Sequence, residues 1–288
     1  MKTILSCIAL LCLFPLRAIS MIAQQDSTGL QARVLQTERG NWYYKTGTTG
    51  EKALLFLHGA NSSHKIWHNQ FDLSVPNYKN IFVDLIGYGN SDKPTAGYHL
   101  NNWIAGLNQI LEQEKLSQVC IVAHSNGVIF AKEFYRAHPD KVTQLILLDG
   151  MLQSIIQDQV LDWMRSTLER SDYKEFMAQN VRNMPVQGLE ESDQEILHED
   201  ALNTPQFIAK AEFALISDPR TWLACTIHCS TTIVHANSPF WDEGYLEALR
   251  TIAPQHQLLK WEDAGHFIPM QHAERLNRLI IELLTPPR

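Results

Sequence analysis

One pentapeptide carries the residue types that covalent acyl chemistry needs. The segment Ala123-His124-Ser125-Asn126-Gly127 follows the apolar run 119–122 and precedes an apolar segment with helical spacing. This order predicts a strand, a sharp turn and a helix, with Ser125 at the tip of the turn. Such an elbow strains the serine backbone and needs small residues two positions before and after it, which Ala123 and Gly127 supply. Ser125 is therefore a candidate nucleophile; the alternative is an ordinary helix start with Ser125 as its N-cap.

The elements that would position this serine alternate along the chain. Segment 33–46 is rich in Val, Trp and Tyr and predicts a hairpin of two strands. Continuous apolar runs, typical of strands buried on both faces, follow at 53–57, 81–83 and 119–122. A further buried strand is predicted at 144–150, and strands resume at 231–235 and 257–261. Segments whose apolar residues have helical spacing lie between these strands. A last helix is predicted near the C-terminal end, with one apolar face formed by Leu276, Leu279, Ile280, Leu283 and Leu284.

This alternation predicts an α/β fold with an eight-stranded, mostly parallel sheet, helices on both faces and a helical insertion after the sixth strand. We expect residues 24–150 and 225–288 to form the core and residues 151–224 to form a helical cap. The segment 151–224 has amphipathic patterns but no strand-like run, and Pro185, Gly188 and Pro205 separate its helices. Sites in such sheets lie at the carboxyl ends of strands, which is where the sequence places Ser125.

Composition limits the possible partners. The 288 residues are 45% hydrophobic and 19% charged, which is sufficient for one large domain with an insertion. The formal net charge is -7, and Lys and Arg are scattered rather than clustered. This charge argues against a nucleic-acid surface and against attraction to anionic membranes. A small-molecule substrate is therefore the expected partner.

The N-terminal segment predicts export. Lys2 precedes the apolar run 4–16, which is followed by Arg17 and small residues, the layout of a secretory signal peptide. We expect residues 1–23 to be this signal, with cleavage after Ser20 or Ala23, and the mature protein to be periplasmic or secreted. The apolar run is shorter than the roughly 20 residues of a membrane span, so an uncleaved anchor is the less favoured alternative.

Three cysteines lie beyond this segment. Cys120 is part of an apolar run and is expected in the core. Cys225 and Cys229 could form a disulfide bond in an oxidising compartment. No second pair of ligands accompanies them, so we predict no metal site, and no motif calls for a cofactor.

Four motifs in sequence order resemble the α/β-hydrolase superfamily, in particular its capped, esterase-like branch. They are His58-Gly59 after the third strand, Asp84-x-x-Gly87-x-Gly89-x-Ser91 after the fourth, Ala123-x-Ser125-x-Gly127 after the fifth and Gly265-His266-Phe267 after the eighth. The resemblance implies that Ser125 is the nucleophile and His266 its base. It also implies that the backbone N–H groups of Ala60 and Asn126 form the oxyanion hole. Dehalogenases and epoxide hydrolases of this branch carry Asp at the nucleophile position, so Ser125 argues against both reactions.

The acid departs from the usual pattern of this superfamily. It normally follows the seventh strand, where this chain has Ser238 in the usual place of Asp. Asp149, which ends the sixth strand, is the preferred replacement, and Asp242 is the alternative, with Asp263 third. Without a catalytic role, Asp149 would be a structural residue at the start of the cap and Asp242 an N-cap. We expect the substrate pocket to be lined by aromatic residues: Trp163, Tyr173, Phe176, Trp222 and Phe267.

These residues predict a serine hydrolase that cleaves carboxylic esters, or related acyl bonds, of small, fairly apolar substrates through an acyl-enzyme intermediate. A carbon–carbon bond hydrolase or an acyltransferase on the same scaffold is the alternative chemistry. A non-catalytic ligand-binding protein that retains the pocket is the alternative from another class, and the missing usual acid is the observation in its favour.

Overall fold

The computed structural model describes residues 29–47, 49–183 and 188–285. The expected signal peptide and the helix break at Pro185 lie outside the described residues. Within the described residues, no helix combines the length and the hydrophobicity that crossing a bilayer requires.

A single sheet of eight strands organises the described residues. The strands are β1 (Gln31–Thr37), β2 (Gly40–Gly47), β3 (Lys52–Leu57), β4 (Tyr78–Val83), β5 (Val119–His124), β6 (Val142–Leu148), β7 (Ser230–Ala236) and β8 (His256–Trp261). Their order across the sheet is β1-β2-β4-β3-β5-β6-β7-β8. β2 pairs antiparallel with β1 and β4, and the other neighbours are parallel. The predicted eight-stranded, mostly parallel sheet is confirmed.

Helices cover the sheet and fill the connections. The α-helices of the described residues are α1 (Leu100–Gln113), α2 (Gly127–Ala137), α3 (Asp158–Leu168), α4 (Tyr173–Asn183), α5 (Glu191–Asn203), α6 (Gln206–Ser217), α7 (Glu243–Ile252), α8 (Ile268–Gln271) and α9 (Ala273–Leu284). Two 3-10 helices add to them, His64–Gln70 and Pro219–Trp222.

Alternate side chains of the central strands belong to different apolar clusters. Leu55 and Leu57 of β3 pack on the face covered by α1, α2 and α7. Leu54 and Phe56 pack on the opposite face, with the 3-10 helix His64–Gln70, α8 and α9. Because helices cover both faces, every residue of β5 is buried, which explains its continuous apolar sequence.

The segment between β6 and β7 contains α3 to α6 and the 3-10 helix Pro219–Trp222. Polar contacts connect α5 to the segment after β3: the Ser63 hydroxyl donates to Asp200 Oδ2 at 2.6 Å, and His68 Nε2 lies 3.2 Å from Asp193 Oδ1. The residue limits expected for the core and the cap stay a prediction. Cys120 is buried as expected, and Cys225 and Cys229 are free thiols with no bond between them.

Candidate active site

Ser125 lies at a tight elbow between β5 and α2. Its φ is 54°, in the left-handed region that strains a residue with a side chain. The elbow packs against β3, since a Cβ added to Gly127 would lie 2.7 Å from the Leu57 carbonyl oxygen. Asn126, rather than Ser125, precedes the first residue of α2, and it forms no side-chain cap. Ser125 is therefore not the helix N-cap, and its hydroxyl is available for another partner.

That partner is His266, which follows β8. Its Nε2 lies 3.1 Å from Ser125 Oγ, and its Nδ1 lies 2.7 Å from Asp149 Oδ2. In the tautomer that suits both contacts, Nδ1–H donates to the carboxylate and Nε2 accepts from the serine hydroxyl. The structure thus brings together a hydroxyl, an imidazole and a carboxylate that lie far apart along the chain.

His124, the residue before Ser125, contacts the backbone of His266. Its Nε2 lies 2.7 Å from the carbonyl oxygen of His266, to which it can donate, and the two rings lie 4.8 Å apart. Burial and, to a lesser extent, the charge of His266 together lower the pKa of His124 to about 3. His124 is therefore neutral at ordinary pH and adds no positive charge beside the base.

Asp149 follows β6 with a φ of 46°, so both the serine and the acid have left-handed backbones. Burial by itself would raise the pKa of Asp149. The hydrogen bond from His266, the charge of His266 and the hydrogen bond from the Ala236 N–H together lower this pKa below its usual value. The side chain is therefore ionised at neutral pH. Gly150 permits close packing here, because a Cβ on it would lie 2.3 Å from the Ser125 carbonyl oxygen.

The other candidate acids have different partners. Asp242 Oδ1 accepts from the Tyr245 N–H at 2.8 Å and so caps α7. Asp263 Oδ1 lies 3.1 Å from Arg275 Nη1 in an exposed ion pair. Of the three aspartates considered, the structure places only Asp149 against His266.

The loop after β3 lies beside the nucleophile. A Cβ added to Gly59 would lie 2.7 Å from Ser125 Cβ, so a glycine is needed for this approach. His58 shapes the loop: it is buried, and its Nε2 accepts from the Leu85 N–H at 3.1 Å. Neither the Ala60 N–H nor the Asn126 N–H has a hydrogen-bond partner among the described residues. Both amides are thus available to a substrate oxygen.

A cavity of about 590 Å³ opens onto Ser125 and His266. Apolar side chains supply much of its lining: Ile129, Met151, Ile155, Val160, Phe240 and Trp241. Phe267 also lines it, as predicted. The cavity therefore fits an uncharged substrate portion of moderate size.

The other four predicted lining residues do not reach this cavity. Trp163 is 53% exposed on α3, and Tyr173 is buried against Leu168 and Ala209. The Phe176 ring lies 4.1 Å from the Arg170 guanidinium, and the Trp222 Nε1–H donates to the Ile216 carbonyl at 2.8 Å. Two of them also contact the core, since Tyr173 interacts with Asn61 and Lys132 Nζ lies 5.5 Å from the Trp222 ring centroid. The structure therefore does not bring these four predicted lining residues to the cavity beside Ser125.

Four of the lining residues that the sequence analysis missed follow the carboxyl ends of strands. Met151 and Ile155 come soon after β6, and Phe240 and Trp241 come soon after β7. Their position just after a strand could have identified them, because the carboxyl ends of parallel strands meet at one edge of the sheet. Aromatic content within the insert was the weaker guide.

Comparison with known proteins agrees with this architecture. Residues 52–173 match the family model described as the alpha/beta hydrolase fold. A haloalkane dehalogenase of Bradyrhizobium diazoefficiens is 33% identical over 107 residues, which are 37% of this chain and 34% of the relative. Epoxide hydrolase 3 of Xenopus tropicalis is 29% identical over 121 residues, which are 41% of this chain and 33% of the relative. This chain thus spans about a third of the length of the curated relatives it matches.

A solved esterase, EaEST from Exiguobacterium antarcticum, has a similar fold. It superposes with a TM-score of 0.75 at 19% identity, over 89% of this chain and 100% of that chain. At this level of identity the similarity concerns the fold alone.

Proposed function

We propose that this chain, a member of the α/β-hydrolase superfamily, is a serine hydrolase that cleaves carboxylic esters of small, fairly apolar molecules. The observation that carries the proposal is the continuous hydrogen-bonded series from Ser125 Oγ through the His266 ring to Asp149 Oδ2. A serine hydroxyl is a weak nucleophile on its own and needs such a base.

The geometry supports a two-step acyl transfer. Ser125 Oγ attacks the ester carbonyl carbon while His266 Nε2 takes the hydroxyl proton, and Asp149 stabilises the resulting imidazolium. The N–H groups of Ala60 and Asn126 stabilise the negative oxygen of the tetrahedral intermediate. His266 then protonates the departing alcohol, and water, activated by the same imidazole, releases the acid from Ser125.

The serine nucleophile favours acyl substrates over the haloalkanes and epoxides that the names of the relatives indicate. A serine oxygen that displaced a halide or opened an epoxide would form an ether, which has no acyl carbon for water to attack. An acyl-serine is an ester, which the same base can hydrolyse. The apolar cavity of about 590 Å³ favours an uncharged acyl or alcohol group of moderate length.

Three alternative functions on this scaffold make different demands on these residues. An acyltransferase or a carbon–carbon bond hydrolase would share Ser125 and His266 but give different products, which product analysis distinguishes. A non-catalytic binding protein would not need an acid at the imidazole, so the contact between Asp149 and His266 counts against it.

Ser125→Ala tests the proposal. We expect purified wild-type protein to hydrolyse short p-nitrophenyl esters and the variant to lose at least about a thousandfold in kcat. A fluorophosphonate probe should label the wild type at Ser125, as located by peptide mass spectrometry. Ser192→Ala, at an exposed position on α5, is the matched control and should keep full activity. Equal esterase activity in the wild type and in Ser125→Ala would refute the proposal.

A further inference from the structure

The Trp241 indole touches the carboxylate of Asp149. Its Nε1–H donates to Asp149 Oδ1 at 3.0 Å. The Ala236 backbone N–H donates to the same oxygen at 2.9 Å. The other carboxylate oxygen, Oδ2, accepts from His266 Nδ1. Each side of the carboxyl group therefore has its own donors, and this division fixes how the group is turned.

The loop after β7 is shaped to deliver the indole. The backbone N–H of Trp241 donates to the Ser238 carbonyl at 3.4 Å, and the backbone N–H of Phe240 donates to the Ser238 hydroxyl at 3.3 Å. These two bonds close a turn. The Asn237 N–H donates to the Ala264 carbonyl at 3.2 Å, two residues before His266. Asp242 then begins α7. Ser238 thus helps to bring a donor to an acid that lies on the neighbouring strand.

A buried ring supports the indole from behind. Trp241 stacks on His235 with a centroid distance of 4.0 Å and an interplanar angle of 7°. His235 is fully buried, and neither of its ring nitrogens has a hydrogen-bond partner among the described residues. Burial lowers the pKa of His235 to about 4, so the ring is neutral at ordinary pH. It restrains the indole without placing a positive charge beside Asp149.

We propose that Trp241 is a positioning residue for the catalytic acid: its indole N–H holds Oδ1 of Asp149 so that Oδ2 faces His266. The inference rests on the proposed function, in which Asp149 orients the imidazole. Hydrogen bonds to charged groups are stronger than those between neutral groups, so losing this donor loosens the carboxylate. The cost should appear in turnover more than in binding, because the acid acts on the imidazolium that forms during the reaction.

Trp241→Phe tests the proposal, since it keeps an aromatic ring over His235 and removes the donor. We expect kcat for p-nitrophenyl esters to fall about tenfold with KM changed less than about twofold. The matched control is Trp222→Phe, which removes an indole N–H that bonds a backbone carbonyl away from the acid. The control should keep the wild-type kcat.

A second variant separates the donor from the shape of the side chain. Replacing Trp241 with β-(benzothienyl)alanine, in which sulfur takes the place of the N–H group, preserves ring size. It should show the same loss in kcat even if Trp241→Phe folds poorly. The far-downfield proton resonance of the hydrogen bond between His266 and Asp149 should broaden in both Trp241 variants and stay sharp in Trp222→Phe.

The outcomes distinguish this inference from the proposed function. If the wild type is inactive on esters and unlabelled by the fluorophosphonate, the proposed function fails, and the proton resonance alone decides the role of Trp241. An unchanged kcat and resonance in both Trp241 variants would overturn the inference, as would a change in KM alone. The same conclusion would follow if Trp222→Phe lost as much activity.

Discussion

Two side chains that contact His266 each keep a fixed protonation state. Asp149 is held ionised by donors at both of its oxygens, and His124 is held neutral by burial. His266 lies between a carboxylate and a hydroxyl, with a different partner at each nitrogen. In the proposed function, this arrangement leaves the His266 imidazole as the group that exchanges a proton with the substrate.

Single substitutions of Asp149 and Asp242 test which carboxylate orients the His266 imidazole. Asp149→Asn should lower kcat by about 10⁴-fold, because an amide in this place favours the wrong tautomer of His266. Asp242→Asn should stay within about threefold of wild type, since Asp242 caps α7 and an asparagine also caps helices. Kinetics on one p-nitrophenyl ester suffice for the comparison. The reverse pattern would show that a rearranged loop supplies the acid from Asp242.

A second buried carboxyl makes stability depend on pH. Glu212 on α6 is 5% exposed, and burial raises its pKa to about 7, although interactions with the side chains of Tyr88 and Asn126 lower it. The folded state therefore binds a proton that the unfolded chain releases at lower pH, so stability falls as pH rises from about 4.5 through about 7.

Glu212→Gln should remove this dependence, because glutamine is uncharged throughout. We expect the variant to be more stable than wild type at pH 8.5, by up to about 3 kcal/mol, and the advantage to shrink at pH 5. Thermal unfolding at both pH values measures it, and Glu262→Gln at an exposed position serves as the control. A difference that is the same at both pH values would contradict the account.

At the scale of elements, the nucleophile is positioned by the close packing of α2 on β3. A Cβ on Gly127 would lie 2.7 Å from the Leu57 carbonyl oxygen and 2.8 Å from that of His58. Both atoms belong to the backbone and cannot turn aside as a flexible side chain would. The elbow therefore depends on a glycine where the helix begins.

Gly127→Ala should destabilise the fold by about 1–3 kcal/mol and reduce esterase activity, because relieving the clash displaces Ser125. Gly244→Ala is the matched control near the start of α7, where the nearest atom to an added Cβ is Asp242 Oδ1 at 3.4 Å. This second substitution should stabilise by up to about 1 kcal/mol, since alanine favours helix. Denaturant unfolding compares the two variants, and equal effects of the same sign would contradict the steric argument.

At the scale of the whole molecule, the net charge of -7 and the N-terminal layout concern where the protein works rather than how it folds. We propose that the mature protein is periplasmic or secreted, on the layout of residues 1–23 alone.

Expression of the full chain in a bacterium tests the proposed export. Mass spectrometry of the periplasmic or secreted fraction should find a chain that begins after Ser20 or Ala23. Leu13→Arg, which interrupts the apolar run, should leave the chain uncleaved in the cytoplasm. A full-length chain retained in the membrane fraction would favour the uncleaved anchor instead.

Local patterns determined much of this architecture. Burial on both faces requires continuous apolar runs, so β3 and β5 could be found without knowing their neighbours. The small residues around Ser125 indicated the elbow, because the strain at that residue is local. The resemblance of Gly265-His266-Phe267 to a superfamily motif predicted that His266 is the base.

Tertiary structure decided what depends on distances between separate loops. Asp149 and Asp242 both lie near strand ends, and only the path of the loop after β7 determines that Asp149 meets His266 while Asp242 caps α7. Trp163 on α3 and Phe240 in the loop after β7 are both aromatic. The placement of their segments over the sheet decides that Phe240 lines the cavity and Trp163 does not. The physical reason is that a strand or an elbow is specified by neighbours in sequence, whereas a site assembled from several loops is specified by how the whole core packs.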